Sequence, residues 1–144
     1  MRLRPRCQAV QMTTAQWAGS NGIARLSVGD EVICQHQAPQ MTFGRVKISP
    51  PPRAFTQATQ AGERALQAAV ARALAGADRV VDLFSGAGTL GLPLADRATL
   101  HCCENDAGLL EALAHGVRHT QGIKSVTTST RDLFRNPVDH TDLK

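Results

Sequence analysis

Tyrosine is absent from the 144 residues, and four Phe with one Trp bring the aromatic content to only 3%. A core must therefore be built from Ala, Leu and Val. No apolar run approaches the ~20 residues that a membrane-spanning helix needs, so no membrane is expected as a partner. The basic start, Met1-Arg-Leu-Arg-Pro-Arg, has no apolar segment behind it. That argues against a secretory leader and makes a cytoplasmic location the expectation. The four cysteines, at 7, 34, 102 and 103, form no C-x-x-C pair, and no histidine stands at zinc-ligand spacing from them. No metal site is expected, and all four read as reduced thiols. Cys102 and Cys103 are adjacent in an apolar strand, so they point to opposite faces, and at least one should be buried and inert.

With 42% hydrophobic and 19% charged residues, the composition is that of a globular protein. Sixteen basic against twelve acidic residues give a net charge of +4. This excess permits a nucleic-acid partner without demanding one. Arg2, Arg4, Arg6, Arg45, Lys47 and Arg53 carry part of it, and solvated surface charge explains them equally well.

The chain divides at Pro50-Pro51-Pro52 into an N-terminal segment, 1–50, and a second segment, 51–144. Residues 8–18 are ambiguous between helix and loop. Ile23 to Gln35 reads as a hairpin turning at Gly29-Asp30, and Gln40 to Ser49 as a second hairpin turning at Gly44. After the prolines, helix and strand alternate. Thr59 can cap a helix to about Ala75, with Leu66, Val70 and Leu74 on one face and Gly76 as its stop. Strands are expected at Arg79–Phe84, Ala98–Glu104 and Ser125–Thr130. Between the last two, Asp106 can cap a helix whose apolar stripe is Leu109, Leu110, Leu113 and Val117. Right-handed crossovers then give an α/β fold, a partial Rossmann-like sheet whose first three parallel strands lie in the order 3-2-1. The chain as given reaches Lys144 before a fourth strand. An uncovered first strand should make it self-associate, or else be covered by its own N-terminal strands.

The most informative stretch is Arg79-Val-Val-Asp-Leu-Phe-Ser-Gly-Ala-Gly-Thr-Leu-Gly-Leu-Pro-Leu-Ala95. It reads as a strand, a glycine turn, and a short helix carrying Leu90, Leu94 and Ala95, with Pro93 tolerated near its start. Such a turn cradles a nucleotide-like ligand against outward-pointing N–H groups. Gly86, Gly88 and Gly91 satisfy G-x-G-x-x-G, a weak dinucleotide signal by itself. Asp82, four residues before Gly86, sharpens it. A carboxylate there repels a pyrophosphate and suits a ligand bearing an ammonium and a sulfonium, so the charge favours S-adenosylmethionine over NAD. Glu104 ends the second strand, where a carboxylate can accept from both ribose hydroxyls. Asp132 follows the third strand, placed either to accept from an adenine amino group or to cap a turn.

Residues 22 to about 137 resemble the RNA uracil-5-methyltransferases, which make 5-methyluridine in transfer and ribosomal RNA. The resemblance rests on Pro51-Pro52-Arg53-Ala54-Phe55-Thr56-Gln57, the helix after it, Asp82-Leu83-Phe84-Ser85-Gly86-Ala87-Gly88-Thr89 with Leu92-Pro93-Leu94-Ala95, and Glu104. It implies an S-adenosylmethionine-dependent enzyme with RNA as partner, and cofactor contacts from Gln57, Phe84, Thr89 and Glu104. With the residues read directly from the pattern, the candidate cofactor set is Gln57, Asp82, Phe84, Gly86, Gly88, Thr89, Glu104 and Asp132. Thr89 stands where relatives often carry Asn, and Ser85 where many carry Cys.

Family enzymes add a cysteine thiolate to the uracil ring, and that residue lies, in the family, beyond the last residue here. The resemblance therefore implies the central, cofactor-binding part of an enzyme, with no catalytic residue of its own. Two other classes stay open: a nicotinamide-dependent oxidoreductase domain, disfavoured by Asp82 and the Phe-x-Gln element, and a non-catalytic binding module or remnant.

Overall fold

The computed structural model describes residues 5–29 and 31–142, with side chains described from residue 12 onward. The basic cluster of Arg2, Arg4 and Arg6, the Cys7 thiol and Asp30 lie outside these. The chain forms two compact units, Met1–Gln40 and Met41–Lys144.

In the first unit, the segment left ambiguous by its sequence is a helix, α1 (Pro5–Ser20). Proline at its first position costs nothing, because the N–H it lacks would have no partner there. The Asn21 amide donates to the Trp17 carbonyl at 2.9 Å, satisfying one of the helix's last acceptors. Strands β1 (Arg25–Val28) and β2 (Glu31–Gln35) then pair antiparallel, with a register shift between Leu26 and Ser27.

The second unit begins with β3 (Met41–Phe43) and β4 (Val46–Ile48), the expected hairpin at Gly44. Helix α2 (Gln60–Ala73) follows, its N-terminus capped by Thr59, whose hydroxyl accepts from the Gly62 N–H. A parallel sheet of β5 (Arg79–Leu83), β6 (Thr99–Glu104) and β7 (Val126–Thr130) runs in the order β5-β6-β7, with α3 (Ala107–Arg118) between the last two strands. This is the 3-2-1 arrangement expected from the alternation. Asp106 caps α3 by accepting from the Gly108 and Leu109 N–H groups.

Two expectations are corrected. The first is the boundary at residue 50. The units divide at 40/41 instead, because Phe43, Val46 and Ile48 are buried in one core with Leu92, Leu94, Leu100, Cys102, Leu110 and Leu113. The hairpin can come that close because α3 offers Gly116 to it. A β-carbon at Gly116 would run into the Lys47 carbonyl oxygen. The second is the helix after the glycine turn, which amounts to a single 3-10 turn over Leu92–Leu94. Pro93 has no N–H to carry an α-helix forward, and three glycines precede it.

Alternation decides which side chains of the sheet are covered. Leu100 and Cys102 face the core, whereas Val81 and Leu83 are 37% and 47% exposed on the other face. There His101 bridges two hydroxyls, Thr127 Oγ1 at 2.8 Å and Ser129 Oγ at 3.0 Å. Both hairpins form sheets of their own, so among the described residues no strand pairs with the outer edge of β5.

Candidate cofactor site at the carboxyl edge of the sheet

The glycine turn is anchored at both ends by backbone bonds. Ser85 N–H donates to the Cys103 carbonyl at 3.0 Å, and Gly88 N–H to the Ser85 carbonyl at 2.8 Å. Gly86 and Gly88 have φ of +54° and +86°, the left-handed region where a side chain is strained. Nothing lies within 4 Å of a β-carbon built on Gly86, so the turn is open to solvent on that side. Phe84 also has a positive φ, +57°, though it is not glycine. Its ring meets that of Phe134 at a centroid separation of 5.3 Å.

Glu104 is joined to this turn directly. Its Oε2 accepts from the Gly86 N–H at 2.9 Å, and its Oε1 from the N–H groups of Asn105 at 2.7 Å and Asp106 at 3.1 Å. The carboxylate thus fixes the relative position of the two strand ends, and Oε2 keeps acceptor capacity for a further donor.

Asp82 lies beneath the turn, against Gly91. A β-carbon on Gly91 would stand 2.5 Å from Asp82 Oδ2, which explains the third glycine. That oxygen is buried with no hydrogen-bond partner among the described residues, as is Ser85 Oγ. Burial raises the Asp82 carboxyl from 3.8 to about 6; the Gly91 N–H opposes this and the Glu104 charge adds to it. A buried carboxylate with one oxygen unpartnered suits an ammonium-bearing ligand and disfavours a pyrophosphate.

The remaining candidates are placed more loosely. Thr89 is half-buried within the turn, and its carbonyl accepts from Gln67 Nε2 at 3.0 Å. Asp132 Oδ1 accepts from the N–H groups of Phe134 at 3.1 Å and Arg135 at 3.3 Å, the turn-capping arrangement that its sequence position also allowed. Gln57 is half-buried in the connection before α2, with Phe55 79% exposed two residues earlier. Cys102 and Cys103 are both fully buried, and burial first, then the Asp82 and Cys103 charges, pushes the Cys102 thiol up to about 12. It holds its proton at neutral pH and is not a nucleophile.

Three participants were not among the candidates. Phe134 is 90% exposed yet pairs with Phe84, and nothing in the sequence between them announces the contact. Arg131 gathers the chain after β7, donating from Nε to the Asn136 carbonyl and from Nη2 to the Pro137 carbonyl, each at 2.6 Å, and pairing with Asp142 at 2.9 Å. Gln67 had a signal. Pro93, four residues after Thr89, leaves that carbonyl without its helical donor.

The three-stranded parallel sheet and its glycine turn define a fold class, the Rossmann-like α/β sheet, which solved methyltransferases share. Among solved structures, Pyrococcus horikoshii TYW2 in complex with MeSAdo aligns over 93% of this chain and 52% of its own, at 20% identity and a TM-score of 0.63. Pyrococcus abyssi tRNA (uracil-54, C5)-methyltransferase with S-adenosyl-L-homocysteine aligns over 72% of this chain and 26% of its own, at 18% identity and a TM-score of 0.57. In sequence, the chain is similar to proteins named uncharacterized RNA methyltransferases. One from Mesorhizobium japonicum is 44% identical over 124 residues, which is 86% of this chain and 30% of that protein. Another, from Brucella suis, is 46% identical over 115 residues, 80% of this chain and 28% of its own length. The chain thus spans under a third of these curated relatives. No protein-family model matches it. Among the described residues no helix is long and apolar enough to cross a membrane, and no group of His, Cys, Asp and Glu is placed to hold a metal ion.

Proposed function

We propose that the second unit is the S-adenosylmethionine-binding part of an RNA methyltransferase that acts on carbon 5 of uridine. The observation that carries this reading is the Gly86 to Glu104 hydrogen bond at 2.9 Å, which joins the glycine turn to the strand-end carboxylate. The residues fit the cofactor. Gly86 leaves open space, the Asp82 oxygen beneath the turn has no partner, and Glu104 retains acceptor capacity. In this reading Gly86, Gly88 and Thr89 border the amino-acid tail, Asp82 supplies negative charge toward its ammonium, and Glu104 accepts from the ribose hydroxyls. Gln57, Phe84 and Asp132 complete the contacts.

The bound cofactor supplies an electrophilic methyl group. The substrate assignment rests on the Phe55-Thr-Gln57 element ahead of the turn, on the curated relatives named RNA methyltransferases, and on the net charge of +4. Carbon 5 of uracil is a poor nucleophile until a thiolate adds to the ring. Neither Cys102 nor Cys103 supplies one, since both are buried, and Cys34 is a half-buried thiol in β2, within the first unit and not the unit that carries the glycine turn. The proposal is accordingly that residues 1–144 alone bind cofactor without methylating RNA, in the cytoplasm, and that a longer protein containing them completes the reaction.

The test is tritium transfer from labelled S-adenosylmethionine to undermodified transfer and ribosomal RNA. A longer protein containing this segment should give 5-methyluridine in nuclease digests, and the 144-residue chain should give none. A different methylated nucleoside would overturn the uridine assignment. Robust incorporation by the short chain would show that a nucleophile lies within it.

A further inference from the structure

Inside the glycine turn, the Leu92 N–H reaches the Gly88 carbonyl at 3.0 Å, an α-helical bond. The next such bond would run from residue 93 to the Thr89 carbonyl. Residue 93 is proline and has no N–H to give. Gln67, from the middle of α2, fills the vacancy. Its Nε2 donates to the Thr89 carbonyl at 3.0 Å and to Glu63 Oε1 at 3.4 Å. Both partners are acceptors, which fixes the amide with its nitrogen toward the turn.

The segment after the turn holds α2 in return. Arg97 donates from Nη1 to the Leu74 carbonyl at 3.1 Å and from Nη2 to the Ala71 carbonyl at 3.3 Å. No residue of α2 is fully buried. Its attachment to the turn segment therefore depends on these two polar clasps to a degree that a deeply packed helix would not.

We propose that Gln67 is a positioning residue that holds the glycine turn in its cofactor-accepting shape by supplying the hydrogen bond that Pro93 cannot. This rests on the cofactor reading above and assigns a role to a residue outside the proposed contact set. Gln67 touches no cofactor atom in it. It acts through Thr89, which lies between Gly88 and Gly91.

The test uses the full chain with two readouts, affinity for S-adenosylhomocysteine and hydrogen exchange at the Gly91 and Leu92 amides. Gln67→Met keeps the side chain's length and removes its donor. Affinity should fall and exchange should rise, each roughly tenfold, the effect of one net hydrogen bond. Adding Pro93→Ala to Gln67→Met gives Thr89 a backbone donor again and should restore both readouts, which a general loss of packing would not allow. Gln67→Lys, which keeps an N–H donor, should stay near the wild-type values. Unchanged exchange in Gln67→Met, or no recovery in the double variant, overturns the proposal. If the wild-type chain bound no S-adenosylhomocysteine, the cofactor reading would fail, and the exchange data would still decide whether Gln67 holds the turn.

Discussion

Glu104 Oε2 and the Gly86 N–H are 2.9 Å apart, although 18 residues separate them in the chain. The same carboxylate also accepts from the Asn105 and Asp106 N–H groups. One side chain therefore organises three backbone donors at the carboxyl edge of the sheet before any ligand arrives. Glu104→Ala should lower S-adenosylhomocysteine affinity by about 10- to 100-fold, through lost charge-assisted bonds to ribose and a loosened turn. Calorimetric titration measures it. Unaltered affinity would reduce Glu104 to a structural residue.

Asp82 sets a pH dependence with a definite sign. Its carboxyl is raised from 3.8 to about 6, so the folded chain holds this proton more tightly than the unfolded one. The penalty is absent below about pH 4, grows as pH rises to 6, and is complete above that. It amounts to roughly 3 kcal/mol at most. Asp82→Asn should thus stabilise the ligand-free chain at pH 7.5 and leave it unchanged at pH 4. Urea unfolding at the two pH values checks this. Equal effects at both would contradict the burial argument.

Gly44 turns the β3–β4 hairpin with φ +58°, and a β-carbon there would stand 2.9 Å from Pro93 Cα and 3.1 Å from the Leu92 carbonyl oxygen. Both partners are backbone and cannot swing aside. Gly44→Ala should destabilise the second unit by about 2 kcal/mol, combining strain at positive φ with the displaced contact. Thermal unfolding followed by circular dichroism measures it, and a change under 0.5 kcal/mol (about the scatter of neutral surface substitutions) would contradict the packing described.

The outer edge of β5 has no strand partner among the described residues, and Val81 and Leu83 are exposed on the face beside it. Parallel sheets are ordinarily covered on both faces. The isolated chain should self-associate with rising concentration, and Val81→Lys should weaken that association. Sedimentation velocity over a hundredfold concentration range, on the order of 1 to 100 μM, would show it. A concentration-independent monomer would contradict it.

The features legible in the sequence were those decided by a few neighbouring residues. Thr59 and Asp106 cap α2 and α3, because a side-chain oxygen two or three residues ahead of free N–H groups settles a helix start locally. The first parallel strand followed from its apolar, β-branched run, and the parallel order from the alternation of strand and helix. What the sequence hid was set by contacts across the chain. Gly116 is where β4 crosses α3, a contact that no local pattern announced, and that crossing puts the unit boundary at 40 and not at the prolines. Pro93 reads as a tolerated early helix position. Following three glycines it reduces the helix to one 3-10 turn and draws in Gln67 from another element. Within the site, sequence position put Glu104 at the end of β6 but not its bond to Gly86, and the Phe84–Phe134 pairing depends on a loop whose path no periodicity encodes.

The central claim is that this turn, with Asp82 beneath it and Glu104 tied to it, is built for S-adenosylmethionine. Isothermal titration calorimetry of the purified chain against S-adenosylhomocysteine and, separately, NAD tests it most directly. The account predicts saturable binding of S-adenosylhomocysteine that Glu104→Ala weakens, and no comparable binding of NAD. Equal or tighter binding of NAD would contradict it.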